Sequence, residues 1–395
     1  MKQFGKYILT HYRSIGWIVL ATLLISWLLT YKLGSLTGGI GPTEYATGTQ
    51  PVGWHGLFHD PFYLPLKLAR SAIFALFIDH GQTLTRLPNI FFGALTIINF
   101  LCLMRLWHGV RTTVLAGFLF ATSAWVLHVS RLASFDVLYL WVLPTLFLID
   151  ALLRKYGEHT LLVFICIIVW GLMLYIPGMI WFVGFSFFLE RRFVIKSWQQ
   201  IEHWQQRATL IVIGLLYLPL LFVHLARAGN LHYWLGLPNR FDTIQSVGKH
   251  FLAVPVHIFI RGPENPQIWL ARAPVLDIFT LAISVIGIYF YITHWRAQRS
   301  KLLLISTFIG FILVGLNGAV QLSLLIPLVY IAAAAGLTYL LREWFKVFPS
   351  NPLARGLGLS LISIAVCLSC IYNLRSYFVA WPHNQITHAV FRYHI

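Results

Sequence analysis

The chain has 395 residues, of which 58% are hydrophobic and only 10% are charged, whereas an ordinary soluble domain carries about 25% charged residues. This composition excludes a soluble globular enzyme and a disordered chain. The formal net charge of +17 would suit a nucleic-acid partner, but the basic residues are spread thinly between long apolar runs, so we expect no nucleic-acid binding. The composition instead predicts an all-α polytopic membrane protein.

Uncharged apolar runs recur along the whole chain, and a membrane-spanning helix needs about 20 such residues. Segment 302–341 contains an Asn-Gly turn signal, so it is predicted to form two spans. Segment 159–189 has a Pro-Gly pair in its middle and basic residues on both flanks, which favours a short hairpin of two helices. These assignments give about 11 transmembrane helices. The other predicted spans are 14–31, 87–104, 112–130, 132–153, 208–226, 278–295 and 356–374.

The distribution of positive charge predicts the orientation. About 17 Lys and Arg residues fall in predicted cytoplasmic segments, and about 12 fall in predicted outside segments that are twice as long. We therefore expect a multi-pass plasma-membrane protein with its N-terminus in the cytoplasm and its C-terminus outside. No small-residue cleavage site follows the first apolar run, so this run is predicted to be a retained span.

Two predicted outside loops, 32–86 and 226–277, are much longer than the rest, and long loops in compact proteins are usually functional. The two loops predict three parts of the chain. Residues 1–225 form a transmembrane module that includes the first loop, residues 226–277 form the second loop, and residues 278–395 form a variable transmembrane module. The pattern of segment 65–78 predicts a helix that lies on the outer membrane surface, with its two basic residues, Lys67 and Arg70, snorkelling.

The scarce charged residues on the predicted outside are the candidates for chemistry. A carboxylate beside the membrane can act as a general base, and the arginine fork suits phosphate; the alternative for a single arginine is an interfacial anchor. Arg131 and Asp136 are predicted to pair, since ionisable groups at span ends are costly. The acids are Glu44, Asp60, Asp79, Asp136, Asp242, Glu264 and Asp277, and the arginines are Arg86, Arg131, Arg240, Arg261 and Arg272.

Metal binding is the weaker possibility. His55 and His59, together with Glu44 and Asp60, could form a cluster of metal ligands, but the sequence has no HExxH pattern. Walker, GxGxxG and GxSxG motifs are absent as well. We therefore expect no cofactor and no assigned metal site, with a divalent metal as the alternative.

Four short motifs occur in a fixed order through the first third of the chain. They are TEYATG (43–48), HDPFYLPLKL (59–68), TRLPNIFFGALTI (85–97) and SRLASFDVLYLW (130–141). Their order and placement resemble the C-type (GT-C) membrane glycosyltransferases, specifically the protein O-mannosyltransferase and lipid A aminoarabinose transferase superfamily. The resemblance covers residues 14–155 and rests on hydropathy beyond them. Two departures are Thr43, where members often have Asp, and the separated prolines Pro61 and Pro65 of a Pro-Pro-Leu-like loop.

The resemblance implies a GT-C-like fold and the transfer of a sugar from a polyprenyl-phosphate carrier to a lipid, glycan or protein acceptor at the outer face, by a single inverting displacement. Glu44 would be the catalytic carboxylate, and Asp60 of the Pro-Pro-Leu-like loop is the second catalytic candidate. Asp136 would orient Arg131, and His55 and His59 would support the site. Arg86 and Arg131 would be structural or phosphate-contacting residues, and the candidates for binding the donor phosphate are Arg86, Arg131, Lys67, Arg240 and Arg261.

Two other classes of function stay open at this point. A transporter or flippase of lipid-linked sugars usually shows inverted repeats and helices broken near the membrane midplane; the chain shows no repeat, and only the Pro177-Gly178 pair favours this class. A non-catalytic GT-C-like protein that binds lipid-linked sugar is the third possibility, and the departure at Thr43 favours it.

Overall fold

The structure is a computed structural model, and it describes residues 16, 19–48, 60–77, 81–156, 160–200, 202–226, 230–240 and 243–393. Helices joined by short turns make up most of this part of the chain. They are α1 (Val19–Thr30), α2 (Pro42–Gly48), α3 (Leu64–Leu76), α4 (Gln82–Trp107), α5 (Val110–Thr122), α6 (Ala124–Arg131), α7 (Asp136–Tyr156), α8 (Thr160–Met173), α9 (Ile180–Gln200), α10 (His203–Ala226), α11 (Asn230–Trp234), α12 (Ile244–Phe259), α13 (Ile278–Thr293), α14 (Gln298–Gly315), α15 (Ile326–Val347), α16 (Pro352–Arg375) and α17 (Gln385–Val390).

The chain is a multi-pass membrane protein, as the sequence predicts. Among the described residues, five helices are long and apolar enough to cross a membrane: α4, α7, α14, α15 with the turn before it, and α16 with the turn after it. The pair α5 and α6 forms one more span if it is counted as a single bent unit, and α1, α8 and α13 are shorter apolar helices. The total of 11 transmembrane helices stays a prediction.

Large apolar side chains cover the outside of the helix bundle. Leu23 on α1 is 62% exposed, Leu215 on α10 is 68% exposed and Leu361 on α16 is 54% exposed. In water such a surface would be an interaction site or an aggregation hazard, but in a bilayer it faces acyl chains. The exposed apolar surface therefore fits the assignment of these helices to the membrane.

Two of the predicted helix breaks are confirmed. Within 159–189, α8 ends at Met173 and α9 begins at Ile180, and Gly178 between them has a φ of +79°. Within 302–341, α14 ends at Gly315 and Asn317 follows with a φ of 52°. Glycine and asparagine are the residues that adopt this left-handed region most readily, so both turns were readable from residue type.

The predicted span 112–130 is not one straight helix. It consists of α5 and α6, which meet at an angle of 58°. Ser123 lies at the junction with φ −53° and ψ 128°, and its hydroxyl accepts a hydrogen bond from the Val126 amide. Serine is a favoured N-cap residue, so it ends one helix and begins the next. The bend carries the end of α6 toward the first predicted outside loop.

Candidate functional site

Glu44 lies in the first turn of α2 and is 1% exposed. Its carboxylate accepts hydrogen bonds from Arg86 Nε and Nη2, both at 2.8 Å. The backbone amides of Gly41 and Ala133 also donate to it, each at 3.0 Å. Four N–H groups therefore occupy the four positions at which the two oxygens accept hydrogen bonds.

Arg86, on the first turns of α4, is buried with Glu44. Two of its three remaining N–H groups donate to the carbonyls of Leu33 (2.6 Å) and Gly39 (3.2 Å). The predicted catalytic carboxylate and a predicted phosphate-binding arginine therefore hold each other, and Arg86 also lines a small cavity together with Arg131. Together Glu44 and Arg86 join α2, α4, the chain after α1 and the turn after α6 at one buried point.

The predicted pair of Arg131 and Asp136 does not form. Arg131 donates from Nη2 to the carbonyl of Tyr31 and lies 4.9 Å over the ring of Phe378. Asp136 instead accepts a hydrogen bond from the Ser134 hydroxyl at 3.1 Å. The reason is that α6 ends at Arg131 and α7 begins at Asp136, so the turn between them separates the two side chains. The expectation that Asp136 orients Arg131 is therefore wrong.

Asp60 and Lys67, by contrast, are close to each other at the start of α3. Lys67 Nζ donates to Asp60 Oδ2 at 2.8 Å and to the Asp60 carbonyl at 2.7 Å. The side chain of Asp60 is 61% exposed, whereas that of Lys67 is only 13% exposed. Of the two predicted catalytic carboxylates, Asp60 is thus the one that faces out of the protein, and it already has a cation beside it.

Arg70 follows one turn after Lys67 on α3 and does not snorkel as predicted. It is 8% exposed, and its guanidinium lies 5.2 Å over the ring of Phe74. Its Nε and Nη2 are buried and have no hydrogen-bond partner among the described residues. Burial lowers the pKa of Arg70 to about 10, because the site offers little solvation to the charged form.

Lys67 and Arg70 line a narrow cleft between α2, α3, α4 and the turn before α7. The Thr47 hydroxyl of α2 donates a hydrogen bond to the Ala133 carbonyl, and the Asn89 side-chain amide of α4 donates one to the Ser134 carbonyl at 2.6 Å. These bonds hold the wall of the cleft, and the Glu44–Arg86 pair lies directly behind that wall through the Ala133 amide. The residues that line the cleft are Thr47, Leu66, Lys67, Arg70, Thr85, Pro88, Asn89, Ala133 and Phe135.

A tyrosine cluster joins the two long predicted outside loops. The Tyr63 hydroxyl lies 2.9 Å from that of Tyr233 in the second loop and 3.3 Å from that of Tyr139 on α7. The Tyr63 ring also stacks on Phe135 of the cleft, with 4.2 Å between centroids. Burial, and then the neighbouring Tyr139, raise the pKa of Tyr63 well above its usual value. The sequence showed aromatics in both loops but gave no signal that these particular rings meet.

The other predicted site residues fall elsewhere. Arg240 and Arg261 are exposed on the second loop and take no part in the bonds around Glu44. Glu264 forms an ion pair with Arg272. The described ranges contain no group of three His, Cys, Asp or Glu side chains that could hold a metal ion. The residues His55, His59, Asp79 and Asp242 lie outside the described part of the chain.

The arrangement of helices is that of the GT-C fold. Over 96% of this chain and 78% of the other, the structure matches ArnT from Cupriavidus metallidurans in the apo state, with a TM-score of 0.57 and 12% sequence identity. ArnT is a lipid A aminoarabinose transferase. The same protein bound to undecaprenyl phosphate matches over 95% of this chain and 76% of its own, with a TM-score of 0.53 and 12% identity. No protein-family model matches the sequence, and no curated protein matches it. At this identity the likeness shows the fold, so the predicted fold class is confirmed.

Proposed function

We propose that this protein is a membrane glycosyltransferase that moves a sugar from a polyprenyl-phosphate carrier to a hydroxyl or amine acceptor at the outer face of the membrane. The observation that carries the proposal is the buried guanidinium of Arg70 beside Lys67 in a cleft of a GT-C fold. The likeness to ArnT bound to undecaprenyl phosphate supports the choice of carrier.

The cleft has the chemistry of an anion site. Arg70 holds two buried nitrogens, Nε and Nη2, that lack a partner in the described structure, and an unmet hydrogen bond of a charged group is costly. Lys67 lies three residues earlier on α3 and therefore on the same helix face. The cleft has a volume of about 10 Å³, which is room for one water-sized group. A single phosphate oxygen placed there would accept from the unpartnered nitrogens of Arg70 beside Lys67. The leaving group of the proposed reaction is such a phosphate.

Asp60 is the proposed general base. It is the exposed carboxylate, and it lies 2.8 Å from a cation that lines the cleft. In the proposed reaction Asp60 takes the proton of the acceptor, and the acceptor oxygen or nitrogen forms a bond to the anomeric carbon. The bond between that carbon and the phosphate oxygen breaks at the same time, and the phosphate leaves with the electron pair, stabilised by Lys67 and Arg70. A single displacement of this kind inverts the anomeric centre.

Glu44 and Arg86 have a different proposed role. Their bonds to the Gly39 carbonyl and the Ala133 amide hold α2 and the wall of the cleft in place. We therefore regard both as positioning residues of the outside face. The orientation with the N-terminus in the cytoplasm and the C-terminus outside belongs to the same proposal, and the charge distribution supports it.

The test uses the full chain in lipid nanodiscs. Undecaprenyl phosphate serves as the binding probe, and a panel of labelled polyprenyl-phosphate sugars serves as donors. We expect Lys67→Gln to weaken binding of the probe, because it removes a cation from the cleft. We expect Asp60→Asn to keep binding and to lower the rate of sugar transfer by about 10²–10⁴-fold, the usual contribution of a general base.

The matched controls are Lys155→Gln and Glu343→Gln, which remove the same charges at the ends of α7 and α15 and should leave binding and transfer unchanged. Wild-type rates of sugar transfer in both Lys67→Gln and Asp60→Asn would refute the proposal. Movement of labelled donor across a vesicle membrane without any sugar transfer would instead identify a flippase.

A further inference from the structure

A second charged cleft lies at the opposite end of α4 from Arg86. It is formed by the end of α4, the start of α5 and the second half of α15, and its volume is about 650 Å³. At a rise of 1.5 Å per residue, the distance along α4 from Arg86 to Trp107 is about 30 Å, which is the thickness of a bilayer core. This cleft therefore lies at the other membrane surface from the candidate transfer site, on the side predicted to be cytoplasmic.

The lining of this cleft is strongly basic. Arg342 and Lys346 are spaced four residues apart on α15, so they share a helix face with Thr338. Arg111 comes from the facing start of α5, and its guanidinium lies 5.6 Å over the ring of Phe345. No acidic residue lines the described cleft; the nearby Glu343 is engaged by Lys346 at 2.6 Å. Three cations therefore converge on one opening.

The floor of the cleft offers neutral polar groups. The hydroxyls of Thr112 and Thr338 lie 3.1 Å apart, and the Thr338 hydroxyl lies 3.0 Å from His108 Nδ1. The opposite ring nitrogen of His108 is buried and has no hydrogen-bond partner in the structure as described. Burial, with a further effect from Arg299, lowers the pKa of His108 to about 4, so the ring is neutral at pH 7. The Thr338 hydroxyl donates to the Ala334 carbonyl at 2.9 Å, so the neutral ring donates to this hydroxyl from Nδ1 and its Nε2 is left as an acceptor.

The first turn of α5 adds backbone donors at the same place. Gly109 is the N-cap of this 13-residue helix, and no side chain caps it. The amides of Val110, Arg111 and Thr112 belong to the first turn, which has no intrahelical acceptor for them, and these residues line the opening, where the helix dipole also favours an anion. Arg342 and Lys346 are independent evidence for an anion, because they line the cleft from α15 and not from α5.

We infer that this cleft binds a phosphate group, and that the group belongs to the headgroup of an anionic phospholipid of the adjacent leaflet. The polar floor and the helix N-terminus would receive the phosphate oxygens. Arg111, Arg342 and Lys346 at the rim would neutralise the charge. The apolar wall, which includes Val110, Leu341 and Phe345, would contact the glycerol and the upper acyl chain. This inference does not depend on the proposed transferase activity.

The experiment is native mass spectrometry of the full-length protein in a neutral detergent, titrated with short-chain phosphatidylglycerol or with inorganic phosphate. The variant Arg111→Gln/Arg342→Gln removes two rim charges. The control Arg191→Gln/Arg192→Gln removes two exposed charges from α9, on the same predicted side of the membrane. We expect the cleft variant to weaken phosphatidylglycerol binding by about tenfold or more, because charge-assisted hydrogen bonds are lost, and the control to bind like wild type.

Thr338→Val provides a second variant that keeps every charge and changes only the floor. A severalfold loss of phosphatidylglycerol binding in this variant supports a built site. Binding of inorganic phosphate to the cleft without any binding of phosphatidylglycerol would assign the site to a soluble phosphate and overturn the lipid assignment. Equal losses in the cleft variant and the α9 control would overturn the inference, because general attraction of lipid to a basic surface would then explain the binding. No loss in either variant would also overturn it, because the rim charges would then not hold the lipid.

Discussion

The Glu44 carboxylate and the Arg86 guanidinium form a buried bidentate ion pair, with both N···O distances at 2.8 Å. Removing one partner of such a pair leaves an unpaired charge in the protein interior and typically costs about 3–5 kcal/mol. We predict this loss for Glu44→Ala, measured as a large drop in the thermal unfolding temperature in detergent. The exposed pair of Glu343 and Lys346 is the matched control, and Glu343→Ala should cost about 1 kcal/mol or less.

A variant of the same pair can show whether Glu44 positions the site or acts on the substrate. Glu44→Gln keeps the size of the side chain but weakens its bonds to Arg86, so we expect stability and transfer to fall together. A variant that unfolds like wild type yet transfers no sugar would show that Glu44 acts directly on the substrate. The thermal unfolding temperature and the transfer rate, measured on one preparation, decide between these outcomes.

The tyrosine cluster predicts a dependence on alkaline pH. The pKa of Tyr63 is higher in the folded protein than in the unfolded chain, so its stabilising contribution is complete below about pH 10 and is lost as pH rises further. We expect Tyr63→Phe to cost about 1 kcal/mol at pH 8 and to make the fall in unfolding temperature between pH 8 and about 11 shallower than in wild type. Tyr156→Phe, which changes an exposed tyrosine, should keep the wild-type slope; equal slopes in all three proteins would contradict the prediction.

Two glycines hold the second loop against the turn between α8 and α9. Gly236 has a φ of +76°, and a Cβ there would lie 2.8 Å from the Cα of Gly178 and 2.7 Å from a methyl carbon of Val320. We predict that Gly236→Ala destabilises the protein by about 1–3 kcal/mol, the usual range for a non-glycine residue in the left-handed region. Gly184 on α9 has open space around it, so Gly184→Ala should be neutral or slightly stabilising. Equal unfolding temperatures for the two variants would refute this prediction.

Phe391 anchors the chain segment after α16. It is 2% exposed, and its ring packs edge-on against Trp381 at 5.3 Å. Phe391→Ala should cost about 3–5 kcal/mol of stability, as truncation of a buried phenylalanine usually does. It should also weaken binding of undecaprenyl phosphate, because the Ile40–Tyr393 bridge links this segment to the first loop. Ile386→Ala changes a neighbour that is 54% exposed and should have a much smaller effect. Unaltered stability in Phe391→Ala would show that this segment does not support the first loop.

Much of the framework was predictable, because apolar run length and turn residues govern it. The breaks at Gly178 and Asn317 follow from residue type, and α3 follows from its apolar pattern and from the proline in its first turn. The short motifs also placed Glu44, Arg86 and Arg131 on one face of the protein, although motif order alone cannot say which side chains touch.

The partners of the charged groups were not predictable in this way. Glu44 and Arg86 are 42 residues apart, and their pairing depends on how α2 docks on α4. The burial of Arg70 depends likewise on the position of α3 against α4, since an exposed helix of the same sequence would let the side chain reach water. Ser123 was a readable capping residue, but a continuous apolar run on both sides concealed the bend.

The backbone bridge between Ile40 and Tyr393 has a consequence for how the protein is made. The loop that carries Glu44 leaves the ribosome early, yet one of its backbone partners belongs to a segment that is synthesised only after α16. Contacts between such distant parts of a chain form late in folding. The face of the protein around Glu44 is therefore completed only after the spans have been inserted, so interruption of synthesis before α17 would leave an inserted bundle whose first loop is unfinished.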